Sequence, residues 1–250
     1  MSVPIVIPSH KRHDRVYAKN VVNDAIICVA ESQAELYREF NPDNEIVTHP
    51  DDVVGLIPKR NWMARHFGDL FMLDDDVHAC KKLYVEKGEA ARVNDRAAVT
   101  AIINELYELA CMMDIHVFGF TSRISPVMYD ETEYLSLDKM ITGCSYGVRY
   151  NENVWWNEEL KLKEDFWISS YVKFTERKVL TDLRYNFEQK NTFVNAGGLS
   201  AIRNQEEEQR SILLIRKYFG DCIKLKGQGN NGRNKTRSMV QYNITANYPF

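Results

Sequence analysis

Five cysteines (Cys28, Cys80, Cys111, Cys144 and Cys222) lie far apart in this chain, and no two stand at CxxC spacing. That scatter argues against a disulfide framework and against a zinc site, and it fits a reducing compartment. No run approaches the roughly 18 uninterrupted apolar residues that a bilayer span needs. The opening stretch, Met1 to Pro8, has neither the charged leader nor the long apolar core of a signal peptide. The expectation is a soluble, cytoplasmic protein with no membrane partner. No internal repeat is present, histidine is absent after His116, and acidic side chains are absent from Lys224 onward.

The 250 residues, 44% of them hydrophobic, suffice for one large core with a small extension. The net charge of −3 says little by itself, but its distribution is uneven. An acidic stretch, Gln205-Glu206-Glu207-Glu208, precedes a C-terminal segment carrying Lys224, Lys226, Arg233, Lys235 and Arg237. The expected division is residues 1–220 as a catalytic domain and 221–250 as a basic loop or tail that packs on the site or closes over it.

Apolar runs at 3–7, 25–30, 45–48 and 69–73 read as strands, and 13–22, 33–40 and a segment opening at Pro58 read as helices. Proline in a first helical turn is harmless, because its missing N–H has no intrahelical partner there. Strands alternating with helices in this way predict an α/β fold with a mostly parallel central sheet flanked by helices. Further on, Val99, Ile102, Ile103, Leu106, Ala110 and Met113 recur at helical spacing behind Asn94, the expected N-cap. Strands are expected at 116–121, 139–149 and 179–187, and helices at 164–174 and 205–218. The glycine- and asparagine-rich stretch beyond Gly220 reads as a loop.

The most informative local feature is Leu73-Asp74-Asp75-Asp76-Val77, three carboxylates directly after an apolar strand. Alternation along an extended backbone sends Asp74 and Asp76 to the same side. Two converging carboxylates repel unless something positive lies between them, and a hard divalent cation with oxygen ligands meets that need. An acidic solvated turn is the equal alternative for the triplet alone. An EF-hand is excluded, because Ala79 and Val85 stand where that loop needs glycine and glutamate. His78 is a lesser metal-ligand candidate.

The second acidic pair, Glu164-Asp165, opens a helix, where carboxylates are favoured on electrostatic grounds alone. Its functional reading is a general base for an attacking hydroxyl. A third cluster, His10, Lys11, Arg12, His13 and Arg15, follows the first strand, at the end of the sheet where open α/β folds bind ligands. It reads as a diphosphate or nucleotide contact, or as a solvated basic turn. Arg60 and Asn61 face either the same ligand or a surface partner. Trp155, Trp156 and Tyr146 suit stacking on a base or sugar, with core burial the alternative for one of the tryptophans.

Taken in order, strand-Pro8-Ser9, Gly55 through Lys59-Arg60-Asn61, Leu73-Asp74-Asp75-Asp76 and Lys163-Glu164-Asp165-Phe166-Trp167 resemble a glycosyltransferase of the GT-A (Rossmann-like) fold. The first acidic motif matches that family's DxD and the second its xED. More narrowly, the chain is similar from Val3 to about Ser200 to the phage and TET-associated glycosyltransferases that decorate hydroxymethylated DNA bases. The resemblance implies a metal-dependent transfer of sugar from a nucleotide sugar, a UDP-sugar first of all, to a hydroxyl on DNA. For a phage-encoded chain the compartment becomes the host cytoplasm.

Residue by residue, the resemblance implies that Asp74 and Asp76 hold Mn²⁺ or Mg²⁺ and that Asp165, with Glu164, serves as base or acceptor-positioning acid. Pro8, His10, Arg12, Arg60, Asn61, Asp74 and Asp75 would line the donor. Lys224, Lys226, Arg233, Lys235, Arg237 and Trp156 would meet an acceptor or its phosphates. Many relatives draw a further metal ligand, often histidine, from the C-terminal region; here Asp221, Asn230, Asn231 or water must substitute. Transfer to a glycan or small molecule keeps the same fold. A nucleotidyltransferase calls for glycines after the first strand, and Pro8-Ser9-His10-Lys11-Arg12 has none. A non-catalytic nucleic-acid-binding module explains the basic tail but leaves both acidic sites without a purpose.

Overall fold

A computed structural model describes residues 1–86, 88–190, 204–225 and 244–246. The N-terminal half lays down β1 (Ile5–Pro8), β2 (Ile26–Ala30), β3 (Ile46–His49) and β4 (Leu70–Leu73). These alternate with helices α1 (Ala34–Phe40) and α2 (Leu56–Phe67). Next come β5 (Val77–Lys82), β6 (Arg92–Val93), α3 (Arg96–Met112), β7 (Val117–Phe120), β8 (Leu135–Ser136) and β9 (Ser145–Val148). The remainder is α4 (Glu164–Glu176), β10 (Leu180–Asp182), β11 (Tyr185–Gln189), α5 (Gln205–Phe219), β12 (Ile223–Leu225) and β13 (Ile244–Ala246).

Eight strands form the central sheet in the order β3-β2-β1-β4-β9-β7-β10-β8. The pairs β2–β3, β1–β2, β1–β4 and β7–β10 are parallel, whereas β9 runs antiparallel between β4 and β7 and β8 is an antiparallel edge. The α/β fold with a mostly parallel sheet is therefore as expected. Strand order reverses beside β1, whose neighbours are β2 and β4, and that crevice is where such sheets bind ligands.

The inner strands β1, β4, β7 and β9 are buried on both faces. Ile5, Ile7, Phe71 and Leu73 pack with α3 residues Val99, Ile103, Leu106 and Ala110. The alternate residues Val6, Leu70 and Met72 pack on the opposite face with Ile57 and Met63 of α2, Trp167 and Ile168 of α4, and Ile212 and Ile215 of α5. This period-two division also fixes where the acids after β4 go, because Asp74 continues the Met72 side. At Gly147, paired with Phe118 across β7 and β9, an added Cβ would lie 2.1 Å from the Phe118 ring, so only glycine fits.

Several local expectations are corrected. Residues 13–22 form no α-helix; only a 3-10 turn at Tyr17–Asn20 appears, held by the Tyr17 and Ala18 N–H groups on the Asp75 carbonyl. The N-cap of α3 is Asp95, not Asn94, and its carboxylate accepts from Ala97 N–H. The stretch 179–187 divides into β10 in the central sheet and β11 in a second, three-stranded sheet of order β11-β5-β6. Chain beyond Gly220 is not all loop, because β12 and β13 pair antiparallel. No described helix is long and apolar enough to cross a membrane.

Candidate active site

Asp74, Asp75 and Asp76 turn out of the C-terminal end of β4, held there by Asp74 N–H donating to the Cys144 carbonyl at 2.9 Å. The alternation expected from sequence is realised. Asp75 points away from its neighbours and is buried, accepting from Ser9 Oγ at 2.6 Å and from Arg12 at 2.7 Å. Ser9 Oγ also lies 2.7 Å from the Tyr37 hydroxyl, which accepts from Arg12 N–H. Asp75 thus pins the loop after β1, and its carboxylate is spent on that task rather than presented to a ligand.

Asp74 and Asp76 converge on one group, the side-chain amide of Gln189. Its Nε2 donates to Asp76 Oδ1 at 2.8 Å and approaches Asp74 Oδ2 at 3.4 Å. Burial pushes the Asp74 carboxyl up to about 8, with Asp76, Glu164 and Asp75 adding repulsion and Arg60 opposing it. Burial raises Asp76 as well, with Asp75 adding to the shift and the Gln189 bond working against it. The Asp74 side chain retains 25% exposure, which leaves an open approach to the carboxyl despite its surroundings. Two converging carboxyls that Arg60 and Gln189 offset only in part, so that burial and mutual repulsion still raise both, fit a hard divalent cation. Asp74 and Asp76 are the residues that would hold it.

Arg60 of α2 connects this acidic site to the second one. It is completely buried, and its Nη2 donates to Asp74 Oδ1 at 3.2 Å, to the Gly143 carbonyl at 3.1 Å and to Glu164 Oε1 at 3.3 Å. Its guanidinium also sits 4.9 Å from the centre of the Tyr146 ring. All three acceptors surround the one nitrogen Nη2 and share its two hydrogens. Arg60 is fully buried and engaged with these acceptors, so it offers no exposed face for the direct contact expected from sequence.

Asp165 stands next to that node. Burial lifts its carboxyl to about 6, with Glu164 adding to the shift. It packs against Gly143, where an added Cβ would come within 3.1 Å of Asp165 Oδ2. Lys163, in the left-handed conformation at φ 64°, caps the start of α4, and its Nζ pairs with the buried Glu208 of α5 at 2.7 Å. The acidic first turn of α5 thus docks that helix onto the second motif.

Other expected residues divide clearly. Asn61 is buried and its amide exchanges hydrogen bonds with the main chain of Trp156, so neither it nor the fully buried Trp156 offers a surface to donor or acceptor. Trp155, 37% exposed, is the tryptophan with an accessible face. Pro8 is buried at the end of β1, and the exposed His10 lies 2.9 Å from the Gln33 amide. His78 approaches Glu188 at 3.5 Å rather than the aspartates. Asp221 is paired with Arg216 on the surface. Lys224 is exposed on β12, while Lys226, Asn230, Asn231, Arg233, Lys235 and Arg237 lie outside the described residues.

Two residues have roles that no sequence pattern indicated. Lys59, buried, donates to the Ser9 carbonyl at 2.7 Å, and burial lowers its ammonium to about 8. Gln189 carries no motif, and only the β5–β11 pairing brings it to the aspartates.

Residues 3–198 match the family model described as TET-associated glycosyltransferase. Among solved structures, the chain is similar to the Staphylococcus aureus TarS fragment 1–349, with 9% identity and a TM-score of 0.47, covering 87% of this chain and 65% of that one. For the same fragment in complex with UDP the values are 10% identity and TM-score 0.44, covering 88% and 72%. A CMP:2-keto-3-deoxy-manno-octonic acid synthetase complexed with CTP gives 10% identity and TM-score 0.43, covering 87% and 100%. The chain spans 39% of the longer TarS structure. No curated protein sequence matches. The family match runs from β1 past both acidic motifs and takes in well over half of the sequence: the chain belongs to the TET-associated glycosyltransferase family.

Proposed function

We propose that this protein transfers a sugar from a nucleotide sugar, a UDP-sugar first of all, to the hydroxyl of a hydroxymethylpyrimidine in DNA, with Mn²⁺ or Mg²⁺ bound by Asp74 and Asp76. The observation that supports the reading is the single buried guanidinium of Arg60, which joins Asp74 to Glu164 and so brings the two acidic motifs together. A metal-binding acid and a candidate base in fixed relation are what glycosyl transfer from a diphosphate requires.

When bound, the divalent cation neutralises the charge that grows on the departing diphosphate. The chain's own residues do the rest. Arg12, anchored by Asp75 in the loop after β1, is the cationic group assigned to the donor. Asp165 takes the proton of the acceptor hydroxyl as its oxygen bonds to the anomeric carbon and the carbon–diphosphate bond breaks. A carboxyl raised to about 6 is ionised at neutral pH yet basic enough for that transfer. Glu164 stays paired with Arg60 and keeps the start of α4 in register. A single displacement assisted by a base on the acceptor predicts inversion at the anomeric carbon.

For a target inside a duplex, the base must leave the stack or be offered on a single strand. The basic residues Lys224, Lys226, Arg233, Lys235 and Arg237 support the nucleic-acid acceptor through contacts with backbone phosphate.

Incubation with Mn²⁺, a panel of nucleotide sugars, and either hydroxymethylated DNA or an oligosaccharide tests the reading. Sugar should appear on the hydroxymethylated DNA and not on unmodified DNA. Transfer to the oligosaccharide alone would reassign the acceptor, and release of pyrophosphate from a nucleoside triphosphate would reassign the reaction.

A further inference from the structure

Two carboxylates are a sparse protein shell for a hard cation, and among the described residues no group of three His, Cys, Asp or Glu side chains gathers that could complete one. The side chain that reaches both aspartates is Gln189, at 2.8 Å from Asp76 Oδ1 and 3.4 Å from Asp74 Oδ2. Its position is built into the fold. The register of β11 against β5 shifts between Glu188 and Gln189, which sets Gln189 opposite Val77, directly after the acidic triplet. The next residue, Lys190, donates its main-chain N–H to the Asp76 carbonyl at 2.8 Å. Side chain and backbone together tie this end of β11 to the aspartates.

An amide NH₂ between two carboxylates does in neutral form what a cation does there. The same group carries a carbonyl oxygen, a hard donor, and a half-turn about the terminal side-chain torsion exchanges the two. That torsion has a broad, roughly two-fold profile, so the exchange needs no backbone movement.

We propose that Gln189 is the third protein ligand of the divalent cation. Without the ion its NH₂ bridges Asp74 and Asp76; with the ion, the amide turns and Oε1 faces the metal. The assignment rests on the metal-dependent reading above and deepens it. It supplies from β11 the ligand that the sequence led one to seek near Asp221, Asn230 or Asn231.

The test is Mn²⁺ binding without donor, measured by calorimetry and by the Mn²⁺ electron-spin signal, in the wild type, Gln189→Ala, Gln189→Glu and Asp76→Ala. We expect Gln189→Ala to weaken binding at least about tenfold, the scale on which losing even an outer-shell contact is felt. Gln189→Glu should bind at least as tightly as the wild type. In chelator Gln189→Glu should melt below the wild type, because three carboxylates then converge, and Mn²⁺ should restore the difference. If Gln189→Ala binds Mn²⁺ as tightly as the wild type, the amide is a placeholder that the ion expels and the assignment is overturned. If the wild type binds no Mn²⁺ and Asp76→Ala is indistinguishable from it, the metal-dependent reading itself fails, and this assignment with it.

Discussion

Asp74 and Glu164, far apart in sequence, accept hydrogen bonds from the same nitrogen of Arg60, at 3.2 and 3.3 Å. Arg60 is therefore the element that makes one site of two motifs. Replacing it by methionine leaves a buried carboxylate uncompensated, which costs about 3–5 kcal/mol when a buried pair is broken from one side. Thermal denaturation should show a large drop for Arg60→Met and a smaller one for Arg60→Lys. Both variants should lose transfer, because methionine supplies no donor and the shorter lysine side chain does not carry its ammonium to the place of Nη2 between Asp74 and Glu164. An unchanged melting temperature in Arg60→Met would remove Arg60 from this role.

Metal-free protein should lose stability as pH rises. The Asp74 carboxyl sits near 8 in the folded chain against 3.8 ordinarily, and Asp76 is shifted the same way. Between those values the native state holds a proton that the unfolded chain has released, so folding is favoured below the window and loses that contribution as pH climbs from about 4 to about 8. Melting curves in chelator across that range should decline, and Mn²⁺ added at the alkaline end should reverse the decline. A flat profile in chelator would contradict the burial of these acids.

Asp165 should control turnover on the acid side. A base raised to about 6 must be ionised to act, so kcat should rise with pH through that value and level off above it. Asp165→Asn should lower kcat by about 10²–10⁴ while donor affinity, measured by calorimetry, stays near wild type. Equal loss of donor binding would make Asp165 structural.

The basic C-terminal residues make a separate prediction about the acceptor. Each phosphate contact contributes a slope of about −0.9 to log K against log salt on duplex DNA, and about −0.7 on single strands. Neutralising Lys224, Lys226, Arg233, Lys235 and Arg237 together should flatten that slope and weaken DNA binding, while donor hydrolysis without acceptor stays unchanged. A slope identical to wild type would free the segment from any backbone role.

Much of this was legible in the sequence because the relevant signals are local. The continuous apolar run before Asp74 places that strand, the alternation of an extended backbone gives the facing of its acids, and Glu164-Asp165 marks the start of α4 through helix-end electrostatics. What stayed hidden depends on pairing between distant segments. Whether Arg60 meets solvent or the core is decided by α4 closing over it, and no pattern in α2 states that. Trp155 and Trp156 are equivalent as letters, yet Trp156 is fully buried and Trp155 is not. The proposed role of Gln189 arises from a register shift between β5 and β11, and glutamine at a strand end carries no signal. The failed helix at 13–22 shows tertiary override, since two of its N–H groups go to the carbonyl of Asp75 instead.

The central claim is that Asp74 and Asp76 hold a cation that supports the departing diphosphate. Its most direct test is donor hydrolysis without acceptor, followed against Mn²⁺ concentration in wild type and Asp76→Ala. The wild type should show saturable, Mn²⁺-dependent release of nucleoside diphosphate, and Asp76→Ala should fall to background at every Mn²⁺ concentration while keeping its fold. Full, Mn²⁺-dependent hydrolysis by Asp76→Ala would contradict the account.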